Sequence, residues 1–303
     1  MRAGRLLCVV LCAMAVVGCG PEVAARVDGS AVTMRSLETE IRTMLANRAY
    51  VAYLERGSGA SVRSAGRDLV AQVLTMRITA VVVHRDFSRR RPRVTEADRR
   101  TATDEASAAT GSPTTFSAFP ASYRRTLVER AAQRVALRRV LVRGVTPESY
   151  YAAHREDYIK PCVHDILVPD RPGAEAARRR IVDGESFAHV AREVSIDSGS
   201  APDGGDLGCN GVHDLLPALN DAVLRQRVGE VGEPIRTDDG YHVLLVRSRD
   251  HAPLGRVLGE VEGAIQKLAK DRLERLVVAR LRRADVDVAS SIGTWNGTAV
   301  DPR

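Results

Sequence analysis

Hydrophobic positions along the chain fall into three textures. From Met34 to Val142 apolar residues recur every three to four positions, the repeat of one buried face of an α-helix. Leu37, Ile41, Met44 and Leu45 mark a first helix. It is capped by Thr33 and preceded by two short extended pieces that turn at Asp28-Gly29. A Gly/Ser stretch, Gly57 to Ser61, breaks it. A second helix is predicted from Val62 to Phe87, burying Leu69, Val73, Leu74, Ile78 and Val82. Thr95 and Asp98 have the spacing of a capping box and open another helix. The run Thr101 to Ser117 is rich in Ala, Ser and Thr and predicts a mobile segment. Helix resumes from Ala121 to Val142. Pro147 starts a further one that ends before Pro161.

From Pro161 to Asp250 the texture changes. Val163 to Val168 predicts a strand, Ala174 to Val182 a helix stopped by Gly184, and Ser186 to Val194 a second helix. A polar, glycine-rich loop follows, Ser195 to Gly208. Pro217 to Gln226 predicts a third helix. Glu233 to Thr237 and Tyr241 to Val246 predict two strands joined through Asp238-Asp239-Gly240, a hairpin signal. Helices alternating with antiparallel strands imply an α+β domain. The third texture, Gly255 to Arg283, is one long amphipathic helix with Val257, Val261, Ile265, Leu273, Val277 and Leu281 on its apolar side. A short polar tail with the only tryptophan, Trp295, follows.

Composition narrows the function classes. A chain of 303 residues has room for two domains at roughly 150 residues each. Aromatic residues are 4% of the chain, so the core rests on Leu, Val, Ile and Ala. The net charge of +7 is a modest excess of 45 basic over 38 acidic residues, with no basic stripe interleaved with aromatics, so no nucleic-acid partner is expected. Arg89-Arg90-Arg91-Pro92-Arg93 reads as a solvated linker, with contact to anionic lipid or acidic clients as the alternative. No Cys/His cluster has metal spacing, so no metal is expected. A serine hydrolase is disfavoured because no Gly-x-Ser-x-Gly elbow is present.

The N-terminus has Arg2 and Arg5 ahead of an apolar stretch, Leu6 to Val17. That stretch is short of the roughly 20 apolar residues a spanning helix needs. It ends in Val16-Val17-Gly18-Cys19, which resembles the lipobox of bacterial lipoproteins. The resemblance implies a signal peptide over 1–18 and a lipidated Cys19; the plainer alternative is an ordinary signal peptide or a buried helix. Gly20 follows, not the Asp that in that family favours inner-membrane retention, so the periplasmic side of an outer membrane is implied where the cell has one. Cys8 and Cys12 leave with the signal. Cys162 and Cys209 remain, either as a disulfide in an oxidising compartment or as two separate buried thiols.

The motifs of residues 161–250 occur in a telling order. Ile166-Leu-Val168, Gly184-Glu-Ser-Phe187, Ala191, Ser195, Gly204-Gly-Asp-Leu-Gly208, Leu216-Pro-Ala218, Gly229-Glu-Val231 and Gly240-Tyr-His242 resemble the parvulin peptidyl-prolyl isomerases in order and spacing. The flanks, Val27-Asp-Gly-Ser30, Val145-Thr-Pro-Glu148 and the long C-terminal helix, are similar to the exported foldase-chaperones of the SurA and PrsA type. The resemblance implies a parvulin-like antiparallel sheet with surrounding helices over 161–250. It also implies a mostly helical chaperone lobe, built from segment 19–160 and segment 251–303.

The activity implied is rotation about X-Pro bonds of unfolded or partly folded exported proteins, with no covalent intermediate and no cofactor. Matched residue by residue, His242 falls on the family's C-terminal active-site histidine and Thr237 on the threonine before it. Asp197 falls where parvulins carry Cys or Asp facing the reacting amide; a plain turn aspartate is the alternative. Leu207, Leu215, Leu219 and Leu167 fall around the proline cup, Leu219 in place of the usual Phe. The family's first histidine directly precedes the Ile-Leu-Val run. Here that position is Asp165, while His164 comes one residue early and by alternation points to the opposite face; a one-residue bulge, which nothing in the sequence requires, is what would bring it back. Asp165 is placed to accept a hydrogen bond from His242. His164, His189 and His213 read as surface or loop residues. Beside the enzyme stands a second reading, a catalytically weak or inactive parvulin fold that grips extended proline-containing clients.

Overall fold

The computed structural model describes residues 22–58, 66–209, 211 and 214–303. Cys19 and the signal segment, most of the Gly57–Ser61 break, and His213 lie outside the described residues. The chain divides into two units: residues up to Arg143 together with Ala269–Arg303, and Gly144–Leu268.

The first unit opens with β1 (Val23–Val27) and β2 (Ser30–Thr33), an antiparallel hairpin turned at Asp28-Gly29. Thr33 then caps α1 (Met34–Ala46) by accepting the Ser36 N–H. The helical stretch does not run on to Gly57. Buried Asn47 breaks it before α2 (Arg48–Ser58): its side chain donates to the Thr115 carbonyl and accepts from the Tyr50 N–H. α3 (Gly66–Arg90) follows, then α4 (Glu96–Ala109), α5 (Pro113–Ser117) and α6 (Ala121–Leu141). The capping box of Thr95 and Asp98 is formed.

The run Thr101–Ser117, expected to be mobile, is instead mostly helical. Its small residues explain this. Ala102 and Ala106 on α4 and Ala132 and Ala136 on α6 are all buried, so the two helices approach closely along a stripe of methyl groups.

The second unit begins with α7 (Pro147–Ala153), where Thr146 and Ser149 form another capping box. The helix that was to run to Pro161 stops at Ala153; one 3₁₀ turn follows, and strand β3 (Ile159–Val168) already contains Pro161. Pro161 pairs with Arg249, while β3's other neighbour begins its pairing only at Cys162, so no ladder bond needs the missing N–H. Next come α8 (Arg171–Val182), capped by Asp170, α9 (Phe187–Val194), capped by Ser186, and β4 (Asp206–Cys209), a strand the glycine-rich composition concealed. α10 (Pro217–Arg225), the very short β5 (Ile235–Arg236) and the long β6 (Tyr241–His251) complete an antiparallel sheet of order β4-β3-β6-β5.

α11 (Leu254–Leu281) begins in the second unit and ends in the first. The tail is not irregular: β7 (Val286–Val288) pairs with β1, and β8 (Gly293–Trp295) pairs with β9 (Val300–Pro302). Leu273, Val277, Leu281, Ile292 and Val300 therefore share one hydrophobic cluster with Val27, Leu37, Leu74, Ile78 and Leu137. Burying each such large side chain is worth roughly 1.5–3 kcal/mol, so the two ends of the sequence stabilise one lobe. The α+β fold class, a parvulin-like sheet plus a helical lobe of N- and C-terminal segments, is borne out.

Candidate active site

The sheet of the second unit separates two layers. Side chains alternate along a strand. Ile166, Val168 and Val243 face one way and pack beneath α8 and α9 with Phe187, Val190 and Ala191. Val163, Leu244 and Val246 face the other way and pack with Leu219 and Val223 of α10, Leu215 and Ile235. Arg249 holds α10 in place. Its guanidinium donates to the Val223 carbonyl at 2.5 Å and to that of Gln226, acceptors left open at the helix end.

Asp165 and His242 lie on the α10 face. Asp165 stands opposite Leu244 and Leu167 opposite His242, so the two polar residues are diagonal neighbours across β3 and β6. His242 Nδ1 and Asp165 Oδ2 are 2.7 Å apart, and their side chains are 6% and 5% exposed. A carboxylate can only accept, which assigns the proton to Nδ1. Nε2 then accepts from the Thr237 hydroxyl at 3.0 Å, and the Thr237 oxygen accepts from the Asp239 N–H at 3.2 Å. Gly240 closes the turn by accepting from the Thr237 N–H. The imidazole is fixed at both nitrogens. Asp165 Oδ1 is buried with no protein hydrogen-bond partner among the described residues.

Asp197 is half-buried and carries a local network. Its Oδ2 accepts from the Ser200 hydroxyl at 2.5 Å and its Oδ1 from the Gly199 N–H at 3.0 Å. The Ser200 bond is the main influence lowering its pKa, against the opposing effect of burial, with help from backbone N–H groups and the nearby His242. Both oxygens of Asp197 thus serve its own turn, while the two ring nitrogens of His242 are taken by Asp165 and Thr237. Leu207 is half-buried on the edge strand β4, where alternation sets it on the Asp165 face, opposite to Asp206.

Glycines let the loop press onto β3. The Asp165 N–H donates to the Gly205 carbonyl at 2.8 Å, and a Cβ on Gly205, whose φ is +77°, would lie 2.3 Å from the Asp165 carbonyl oxygen. Ser195, read from the sequence only as part of a motif, anchors the loop's other end. Its hydroxyl accepts from the Leu167 N–H at 3.1 Å, and Ile196 donates to the Leu167 carbonyl. The Ser-x-Asp spacing was the available signal, since both side chains favour local turns. Cys162 and Cys209 are bonded, joining β3 to β4 at paired positions; of the two alternatives, the disulfide is the one formed.

His164 is not a surface residue. Its side chain is 13% exposed on the α9 face of β3, bonded to the Gly204 carbonyl at 3.1 Å and edge-on to Phe187. An irregularity in the pairing of β3 with β6 comes before Val163, so it does not turn His164 toward His242. His189 is 67% exposed, as read.

Comparison with known proteins agrees with this geometry. Residues 171–248 match the Rotamase family, described as the PPIC-type PPIASE domain. The chain is 31% identical over 159 residues to foldase protein PrsA of Geobacillus sp. strain WCH70, covering 52% of this chain and 56% of that one. It is 47% identical over 96 residues to chaperone SurA of Chromohalobacter salexigens, covering 29% and 22%. The chain thus spans about half or less of the length of these curated relatives. A crystal structure of peptidylprolyl isomerase PrsA from Bacillus cereus superposes with a TM-score of 0.50 at 17% identity, covering 91% of this chain and 95% of that one. The chain therefore carries a parvulin-type domain of the PPIC family, set in a PrsA-like fold.

Proposed function

We propose that this protein is a peptidyl-prolyl cis-trans isomerase and folding chaperone for exported proteins. The observation that carries this reading is His242 held between Asp165 and Thr237, on the sheet face that also packs Leu215 and Leu219. The uncatalysed X-Pro barrier is about 18–20 kcal/mol and needs no bond to be broken. A site that holds the proline ring against the apolar side chains Leu167, Leu207, Leu215 and Leu219 would favour the twisted, less conjugated amide over the planar one. That preference is differential binding of the transition state. No cofactor or covalent intermediate enters. His242, Thr237, Asp165 and Asp197 are the proposed catalytic set, with Asp165 taking the first histidine's place and orienting His242.

Segment 161–250 is the proposed isomerase domain, and 19–160 with 251–303 the proposed client-holding lobe. A lipidated Cys19, following a signal over 1–18, would tether both to a bacterial membrane on its exported side. One acyl chain binds a membrane only marginally, whereas two signals anchor stably.

Two measurements test this. Short X-Pro peptides should isomerise faster with the protein than without it. No rate above background, with aggregation of an unfolded client still suppressed, would replace the enzyme by the inactive, client-gripping reading. Cys19→Ser is expected to release the protein from membranes; continued association would remove the lipid anchor.

A further inference from the structure

A cavity of about 430 Å³ opens within the helical unit between α1, α3, α4 and α6. Small-ligand sites run from roughly 300 to 1,000 Å³. Met44, Met76, Val83, Phe119 and Leu127 give it apolar walls. The threonines at its edge offer a ligand little. The hydroxyls of Thr75, Thr79 and Thr110 donate to carbonyls in the preceding turn, those of Ala71, Thr75 and Ser107.

The two acids that line it are already engaged. Glu40 is held by Arg77 and Arg130, and Glu105 by Arg138 at 2.5 Å. Arg134, also in the lining, is exposed. Glu105 and Glu274 act on its charge from a distance. No carboxylate among the described residues lies within ion-pair range of its guanidinium. The cavity therefore pairs an apolar interior with an uncompensated cation.

We propose that this cavity binds a segment of an unfolded client chain in which an apolar side chain stands next to a carboxylate. The side chain fills the cavity and the carboxylate pairs with Arg134. A guanidinium presents a planar fork that matches a carboxylate with two parallel bonds. A purely apolar segment would leave that charge unmatched at the cavity's edge, and a basic one would meet it as a like charge. The inference rests on the client-holding role of the lobe and is independent of the isomerase site.

The test uses the full chain and fluorescent, proline-free peptides, acetylated and amidated, with Phe followed by Glu or by Gln. The Glu peptide should bind roughly two- to fivefold more tightly, as expected for an ion pair at a solvent-reached edge. Arg134→Gln should erase that preference and leave the Gln peptide's affinity unchanged. Ala109→Trp, which fills the cavity from an exposed lining position, should weaken both peptides about tenfold with isomerisation and thermal melt unaltered. Equal binding of the two peptides, a preference that survives Arg134→Gln, or indifference to Ala109→Trp would each overturn the proposal. Binding of laurate but of neither peptide would overturn it too and assign the cavity to a fatty acid. Because the peptides lack proline, loss of the isomerase reading would not alter any of these results.

Discussion

Asp165→Ala is expected to lower the X-Pro isomerisation rate by roughly 10- to 100-fold, and His242→Ala by as much. The two side chains meet at 2.7 Å in a buried setting, where water cannot replace either partner. Removing the carboxylate leaves the Nδ1–H of His242 without an acceptor, at a cost of about 1–3 kcal/mol for a buried unsatisfied group. The imidazole is then free to turn or to change tautomer, and the Thr237 bond to Nε2 goes with it. Because the pair acts as one unit, the double variant should be about as slow as either single one. Losses that add would show that the two residues act separately. Asp165→Asn separates positioning from folding. Its amide oxygen can still accept the Nδ1–H, so most of the rate should return. A rate as low as that of Asp165→Ala would mean that the charge, not the acceptor, matters. The assay belongs at a temperature where circular dichroism shows every variant folded.

The amino-acid sequence made this pairing legible in part. Period-two alternation set Asp165 and His164 on opposite faces of one strand, and the structure keeps them there. What alternation cannot supply is register. Whether Asp165 meets His242 depends on where β6 starts against β3, and that is set by the Gly240 turn and by contacts across the sheet.

The same limit hid β4. Its residues are too few and too rich in glycine to show a period, and it forms because Gly205 can approach Asp165 closely. His164 was misplaced for a related reason. A lone histidine in an apolar run looks like a surface residue until the Gly204 carbonyl and Phe187 come to it from segments far along the chain.

In the helical lobe, caps such as Thr33 and Thr95 were readable because they act within four residues. The order of Thr101–Ser117 was not, because alanine methyls reveal their partner helix only on packing. The disulfide stayed open for want of the same information: two cysteines fit a bond or two thiols equally until β3 and β4 are paired.

Glu40→Ala should destabilise the helical lobe by about 3 kcal/mol, the lower end of the cost of breaking a buried ion pair. Glu40 is buried on α1, 2.9 Å from Arg77 and 2.6 Å from Arg130, and it accepts from the Tyr123 hydroxyl at 3.3 Å. Without it two guanidiniums face each other. Their side chains keep 25% and 27% exposure, which lets water soften the loss and places it at the low end.

The pH dependence has a definite sign. Burial pushes the Glu40 pKa up, but Arg130 and Arg77 outweigh it and hold the group below its ordinary value of 4.5. On acidification the unfolded chain binds the proton first. The network's contribution is therefore complete above the ordinary carboxylate range, and it is lost as pH falls through that range toward the folded value. Trp295, the only tryptophan, lies on β8 of this unit, so its fluorescence follows the lobe's own unfolding. Wild type and Glu40→Gln should differ at pH 7, and the gap should narrow as the pH falls below the ordinary carboxylate range, because the variant keeps one acceptor oxygen but has neither the second acceptor nor the titrating charge. Asp98, held low by Arg139 against burial, loses stability in the same direction in both proteins and cancels in the comparison. A gap that stays constant from pH 7 to pH 3, or a Glu40→Ala loss below about 1 kcal/mol, would mean that the ion pairs offset only their own desolvation, as buried pairs sometimes do.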